Sequence, residues 1–260
     1  MSPQSRSQIG GAHSSSSRHL PGLEGAATVH TLGWRRVGIA IKSLKETGIC
    51  VIEGDPGVGK SFAVDGQLAT LSVPIFWADM PHMPKGKEAT SRIYQAVTGA
   101  LPPKTATEYA LTEETVEILK GLEAVLVIDE AQNLTVSAIR QFRYFHDRQE
   151  TKLKFVLVGC KVQEKIGQVP EFVSRVARWV QIDPLSVKEL SEVLPKFHSL
   201  FANTTPAVLA QLQQHAGGNL RSWARIAESA LAYGATTNID PQTASLILSI
   251  IRPGRRGDRR

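Results

Sequence analysis

The sequence predicts an α/β chain, a parallel sheet flanked by helices and followed by a small all-helical domain. Three observations predict it. Short apolar runs rich in β-branched residues alternate with helix-forming segments through the first 183 positions. Those runs are continuously apolar rather than alternating, as expected of strands covered on both faces of a parallel sheet. Beyond Pro184 the runs stop while helical periodicity continues.

The composition sets the bounds. At 260 residues, 42% apolar and 21% charged, the chain has the make-up of a soluble globular protein with one large domain or two small ones. Collagen-like, disulfide-framework and wholly disordered chains are excluded. The longest apolar stretches, 124–128 and 246–251, are too short to cross a bilayer. No apolar segment of the secretory type stands at the N-terminus. Cys50 and Cys160 lie far apart, each at the edge of an apolar run. They read as small buried residues of a reducing compartment, so a cytoplasmic location without membrane contact is expected. The formal charge is +6, but residues 252–260 carry +4 of it and residues 1–31 another +1, leaving +1 for the 220 residues between. The basic isoelectric point is thus mostly a property of the tail.

In chain order, residues 1–29 are Ser-, Gly- and His-rich and are expected to be a disordered leader. Trp34, Val37, Ile41 and Leu44 recur at helical spacing, with Gly48 expected as the C-cap. Strands are predicted at 49–52, 73–78, 124–128, 155–158 and 179–182. Helices are predicted at 59–71, 88–98, 112–121 and 137–148, with turn-rich loops at 80–87 and 102–104. Four more helices follow, near 187–200, 206–215, 220–233 and 241–251. His146, His198 and His215 stand apart without metal-ligand spacing. Trp34, Trp77, Trp179 and Trp223 lie within apolar patterns and read as core or subunit-contact residues.

Between the first strand and the following helix stands Gly54-Asp55-Pro56-Gly57-Val58-Gly59-Lys60-Ser61, which fits G-x-x-x-x-G-K-[ST]. Its glycines let successive backbone N–H groups converge on one anion, and the helix start adds unpaired N–H groups and a positive dipole end. Lys60 would reach the β- and γ-phosphates, Ser61 would offer a hydroxyl to Mg²⁺, and Phe62 completes the nucleotide-binding run. The third strand ends in Val125-Leu126-Val127-Ile128-Asp129-Glu130. Two carboxylates at the C-terminal end of a buried strand occupy the edge where open α/β sheets bind ligands. Asp129 suits the Mg²⁺ shell, and Glu130 suits a water in line with the γ-phosphate.

These residues resemble an AAA+ ATPase over about residues 30–251, and more narrowly the TniB/TnsC/MuB group of transposition proteins. The segments that carry the likeness are GDPGVGKS, VLVIDEAQNL, KFVLVGC, VSRVARWVQIDPL and GGNLRSWARIAESAL. Their order is shared with ExeA-like secretion ATPases and Cdc6-like origin-binding ATPases. The resemblance implies a P-loop NTPase domain over 30–183, a helical lid over 184–251 and a basic disordered tail over 252–260. It places Cys160, or Gly159 before it, at the sensor-1 position; a thiol there is a poor hydrogen-bond donor. Arg175 and Arg178 fall where arginine fingers act across a subunit interface, the alternative being surface pairs with Glu164 or Glu171. Gly217-Gly218-Asn219-Leu220-Arg221 resembles the sensor-2 motif, with Asn219 as helix cap and Arg221 aimed at the nucleotide.

The function so implied is an ATP-dependent, sequence-non-specific DNA-binding regulator of transposition. It would hydrolyse ATP to ADP and phosphate and recruit or stimulate a transposase on double-stranded DNA. ATP and Mg²⁺ are the implied cofactors, and a homo-oligomeric ring or helical filament the implied assembly. Lys85, Lys87, Lys104 and Thr105 are the DNA-contact candidates, on loops resembling DNA-facing segments of TnsC-type proteins. The alternatives are an ExeA-like secretion ATPase and a small-molecule kinase using the same loop, which would leave Glu130 and Arg221 without these roles.

Overall fold

The computed structural model describes residues 23–251 except residue 149. The tail 252–260 and the first 22 residues of the expected leader lie outside it. In order come α1 (Leu32–Lys42), β1 (Gly48–Gly54), α2 (Lys60–Leu68), β2 (Ile75–Asp79), α3 (Gly86–Thr98), α4 (Glu108–Leu119), β3 (Glu123–Asp129), α5 (Val136–Asp147) and β4 (Lys152–Gly159). Two short helices, α6 (Val162–Ile166) and α7 (Pro170–Val173), precede β5 (Val176–Ile182). Five helices follow: α8 (Val187–Phe197), α9 (Ser199–Ala202), α10 (Pro206–Ala216), α11 (Leu220–Ala232) and α12 (Pro241–Ile250).

The strands form one parallel five-stranded sheet in the order β2-β3-β4-β1-β5. Residues 124–128 of β3 and 155–158 of β4 are wholly buried, as the apolar runs require. Parallel register sets Asp79 beside Asp129, and Glu53 beside Gly159, at one end of the sheet. The helices that cover the sheet show their inner faces at helical spacing. In α5 these are Ala138, Ile139, Phe142 and Phe145, and the helix starts where the Thr135 hydroxyl accepts Ala138 N–H at 3.2 Å. At the edge, β5 buries only Val180 and Ile182 fully, and Trp179 is exposed rather than core.

Several boundaries differ from the sequence reading, each for a local reason. Gly48 is not a C-cap but the first residue of β1. The expected loop 80–87 is shortened because α3 begins at Gly86, where the Glu88 carboxylate accepts Lys85 N–H at 3.1 Å. Likewise α4 begins at Glu108, where Thr107 accepts Ala110 N–H. Cys50 is buried, but Cys160 is only half-buried; both thiols are free.

The described residues group into two compact units. One comprises Trp34–Gly54 and Lys60–Gln181, and the other residues 23–33, Asp55–Gly59 and 182–251. The first unit holds the sheet and a core built on Ile49, Val51, Leu126, Ile128, Phe142 and Phe155. The second packs its helices around Trp223, Phe201, Leu212 and Ile247. Trp223 is fully buried, and its indole N–H donates to Gly217 O at 2.9 Å. Residues 23–29, expected to lack structure, lie on this second core through Leu23 and Val29. They are held there by Ala27 N–H donating to Phe197 O at 2.8 Å. His198 is buried with Nδ1 accepting Leu200 N–H, so its Nε2–H donates to Glu24 O at 2.8 Å.

Candidate nucleotide site

Within the sheet unit, parallel pairing brings the C-terminal ends of β1, β2, β3 and β4 to one edge. Gly54 closes β1 there, and its carbonyl accepts the Lys60 ammonium at 2.8 Å, with Lys60 only 9% exposed. Lys60 and Ser61 open α2, at the positive end of its dipole. The Phe62 ring lies 5.5 Å from that of Trp34 of α1, tilted by 50°. Trp34 in turn lies where a Cβ on Gly66 of α2 would collide with its ring. The small residue at position 66 therefore lets α1 seat against the helix that carries Lys60.

Asp129 ends β3, and its Oδ1 accepts the Glu130 N–H at 2.8 Å. Glu130 then turns left-handed, with φ 53°. Among the described residues only Met83, Glu130 and Lys161 combine a side chain with positive φ. Two of the three follow within two residues of a strand end at this edge. Such a conformation costs on the order of 1 kcal/mol, and here it aims the Glu130 side chain off the strand direction. A 3-10 turn, Ala131–Asn133, follows. Its Gln132 donates from Nε2 to Glu130 Oε2, while Gln132 Oε1 accepts the Cys160 N–H at 3.1 Å. Cys160 thus takes part through its backbone N–H. Glu53 contributes as well, accepting Gln163 N–H at 2.8 Å at the start of α6.

Arg175, just after α7, donates from Nε to Asp147 Oδ1 at 3.1 Å, and Asp147 also meets His146 and Arg143. Burial pushes the Asp147 carboxyl up, but the hydrogen bonds and charge of His146 and Arg175 outweigh it and hold it below its usual range. The expected alternative partners are engaged elsewhere, Glu164 with Lys161 and Glu171 with Arg140. Arg178 lies on the edge strand β5, where its Nε donates to Ser43 Oγ at 2.9 Å. It flanks Cys50, whose thiol burial pushes up to about 12 against the opposing Arg178 charge. The two arginines therefore belong to different surroundings.

The other half of the phosphate loop, Asp55–Gly59, groups with the helical unit. Gly57 and Gly59 adopt φ of 87° and 94°, a region that side chains resist. A glycine loop whose backbone N–H groups can converge without Cβ obstruction fits a phosphate chain. Asn219, the N-cap of α11, spans both sides of this unit. Its Nδ2 donates to Pro56 O at 2.7 Å, and its Oδ1 accepts Ser222 N–H at 3.3 Å. Arg221 N–H donates to Gly57 O at 3.2 Å, and its side chain is exposed.

Lys85, Lys87, Lys104 and Thr105 are all exposed in the sheet unit. Lys87 lies in the first turn of α3 rather than in a loop. The start of α4 meets the start of α3, since a Cβ on Gly86 would lie 2.6 Å from Glu108 Oε1. That contact sets the Glu108 carboxylate against Gly86, the residue between Lys85 and Lys87. Asp79, Gln132, Glu53 and the Pro56 contact of Asn219 were not singled out from sequence. Position at the end of an apolar strand was the available signal for Asp79 and Glu53. For Gln132 and Asn219 only the fold reveals the contact.

A family model described as an AAA domain matches residues 42–166. No curated protein is significantly similar in sequence. Among solved structures, Aeropyrum pernix ORC2 in ADPNP and ADP complexes is similar at 14% identity and a TM-score of 0.63, with 86% of this chain and 68% of that one covered. Aeropyrum pernix ORC1 in complex with DNA matches at 16% identity and 0.63, covering 88% and 67%. The Thermotoga maritima RuvB Holliday junction branch migration motor matches at 18% and 0.53, covering 84% and 68%. Among the described residues no helix is long and apolar enough to cross a membrane. The parallel sheet, the glycine-rich loop between β1 and α2, and the acidic pair closing β3 are those of the P-loop AAA+ fold, and residues 42–166 are similar to an AAA domain.

Proposed function

We propose that the protein is an ATP-hydrolysing switch that binds double-stranded DNA without sequence preference and serves a transposase as target-DNA adaptor. The observation that carries the nucleotide reading is the sheet edge where Gly54, its carbonyl holding Lys60, ends β1 and where Asp129 and Glu130 close β3, with β4 between the two strands. Lys60 and the loop N–H groups would hold the phosphates. Ser61 and Asp129 would take Mg²⁺, which supplies positive charge against the phosphate oxygens when bound. Glu130 would orient and deprotonate the attacking water, and Arg175 would offer its guanidinium to the site of a neighbouring copy in a ring or filament. Arg178, tied to Ser43 on the edge strand, is the second candidate for that part. Arg221 would read the nucleotide state from the helical unit.

DNA binding is supported by two similar structures, ORC1 in complex with DNA and the RuvB Holliday junction branch migration motor. The exposed Lys85, Lys87 and Lys104, with Thr105, supply backbone-type contacts that an oligomer would multiply. The transposition role rests on the five sequence segments that resemble the TniB/TnsC/MuB group. The test is retention of a duplex of mixed sequence with ATP, with a non-hydrolysable analogue and with ADP, alongside the mass of the protein in each state. Retention and assembly with ATP and the analogue but not with ADP are expected. Equal, negligible retention in all three states would refute the DNA-binding switch.

A further inference from the structure

We propose that Gln132 positions Glu130 for water activation by tying its carboxylate to the end of β4, a role that rests on the ATPase reading above. Glu130 is exposed and follows the last residue of β3 in a left-handed conformation, so the strand alone does not set its side chain. Gln132 donates to Glu130 Oε2. The orientation of the Gln132 amide is itself determined, because its Oε1 accepts the backbone N–H of Cys160 at 3.1 Å. A backbone N–H can only donate, so the amide oxygen must face Cys160 and the NH₂ must face Glu130. One carboxylate oxygen is thereby held, and the other is left to meet water.

Two further features single out this arrangement. The residue after β4 that would otherwise link the strand tip to the attacking water is Cys160, whose thiol is a weak donor. The link runs instead from its backbone through Gln132. Gly159 makes room for it, since a Cβ there would collide with Gln132 Oε1 and lie 2.9 Å from Val162 Cγ2. Movement of the β4 end would thus be passed to Glu130 through one amide.

Q132M keeps side-chain length and removes both amide groups. It is expected to lower kcat for ATP about 10- to 100-fold, the size of effect that follows from misplacing a reacting group by about 1 Å. KM and affinity for a non-hydrolysable analogue should stay within about 2-fold. In the E130Q background the same change should alter turnover by less than about 2-fold, because its route of action is already gone. G159A, which displaces the Gln132 amide, should reproduce the kcat loss. Should Q132M fail to fold, Q132E serves in its place, keeping the acceptor for Cys160 N–H and opposing Glu130 with a second carboxylate. Wild-type kcat in the folded variant, or losses that multiply in the double variant as a purely structural role would give, overturn the inference alone. Wild-type protein without turnover, or E130Q with undiminished turnover, overturns the ATPase reading and this inference with it.

Discussion

Replacing Asn219 separates two jobs that one side chain performs in the helical unit. Its Oδ1 caps α11 by accepting Ser222 N–H, and its Nδ2 donates to Pro56 O at 2.7 Å. Loss of an Asn cap costs about 1 kcal/mol. Loss of a half-exposed amide-to-carbonyl bond costs about 0.5–1 kcal/mol. Asn219→Ala should therefore cost about 1.5–2 kcal/mol and lower Tm by about 3–8 °C. Asn219→Asp keeps the capping oxygen and loses only the donor to Pro56, so about half of that loss is expected. Both changes release the loop that holds Gly57 and Gly59 at positive φ, and that loop must then be ordered on binding. Affinity for an ATP analogue should fall about 2- to 10-fold in each. Thermal melting and fluorescence titration of the analogue read the two effects separately. Wild-type melting and affinity in both variants would refute the view that Asn219 organises the phosphate loop.

Four further outcomes are expected. Lys60→Ala, removing the ammonium at Gly54 O, should abolish ATP-analogue binding and ATP-dependent DNA retention, and titration with unchanged affinity would contradict the assignment. Glu130→Gln should keep nucleotide binding while slowing phosphate release to a small residual rate and prolonging the assembled state on DNA; single-turnover kinetics decide it. Arg175→Ala should lower turnover with analogue affinity nearly unchanged, and should cost at most about 1 kcal/mol of stability, because its pair with Asp147 is partly exposed. A large loss of affinity would place that guanidinium in its own subunit's site. Trp223→Ala, emptying the core of the helical unit and orphaning Gly217 O, should destabilise by about 3–5 kcal/mol in denaturant unfolding.

The phosphate loop and the acidic pair were legible because each is a contiguous string whose chemistry depends on local spacing. G-x-x-x-x-G-K-S makes its own turn, and Val125–Ile128 announces a buried strand before Asp129 arrives. The residues that organise the site were harder to see. Gln132 reads as one polar residue in a turn until β4 is laid beside β3 and Cys160 N–H meets its oxygen. Asn219 is legible as a cap, but its bond to Pro56 joins residues 163 positions apart. Loop position is all that local sequence offers for the DNA candidates, yet Lys87 belongs to α3, which begins at Gly86 with the Glu88 carboxylate accepting Lys85 N–H.

By itself, then, the amino-acid order determined the α/β class, the run of helices after Pro184, and the phosphate-binding and acidic strings, since periodicity and turn chemistry act over a few residues. Tertiary structure decided the strand order β2-β3-β4-β1-β5, the partners of Arg175 and Arg178, the seating of residues 23–29 and the clamp on Glu130. Those depend on which distant segments share a core, and hydrogen-bond partners far apart in the chain leave no local periodicity to read.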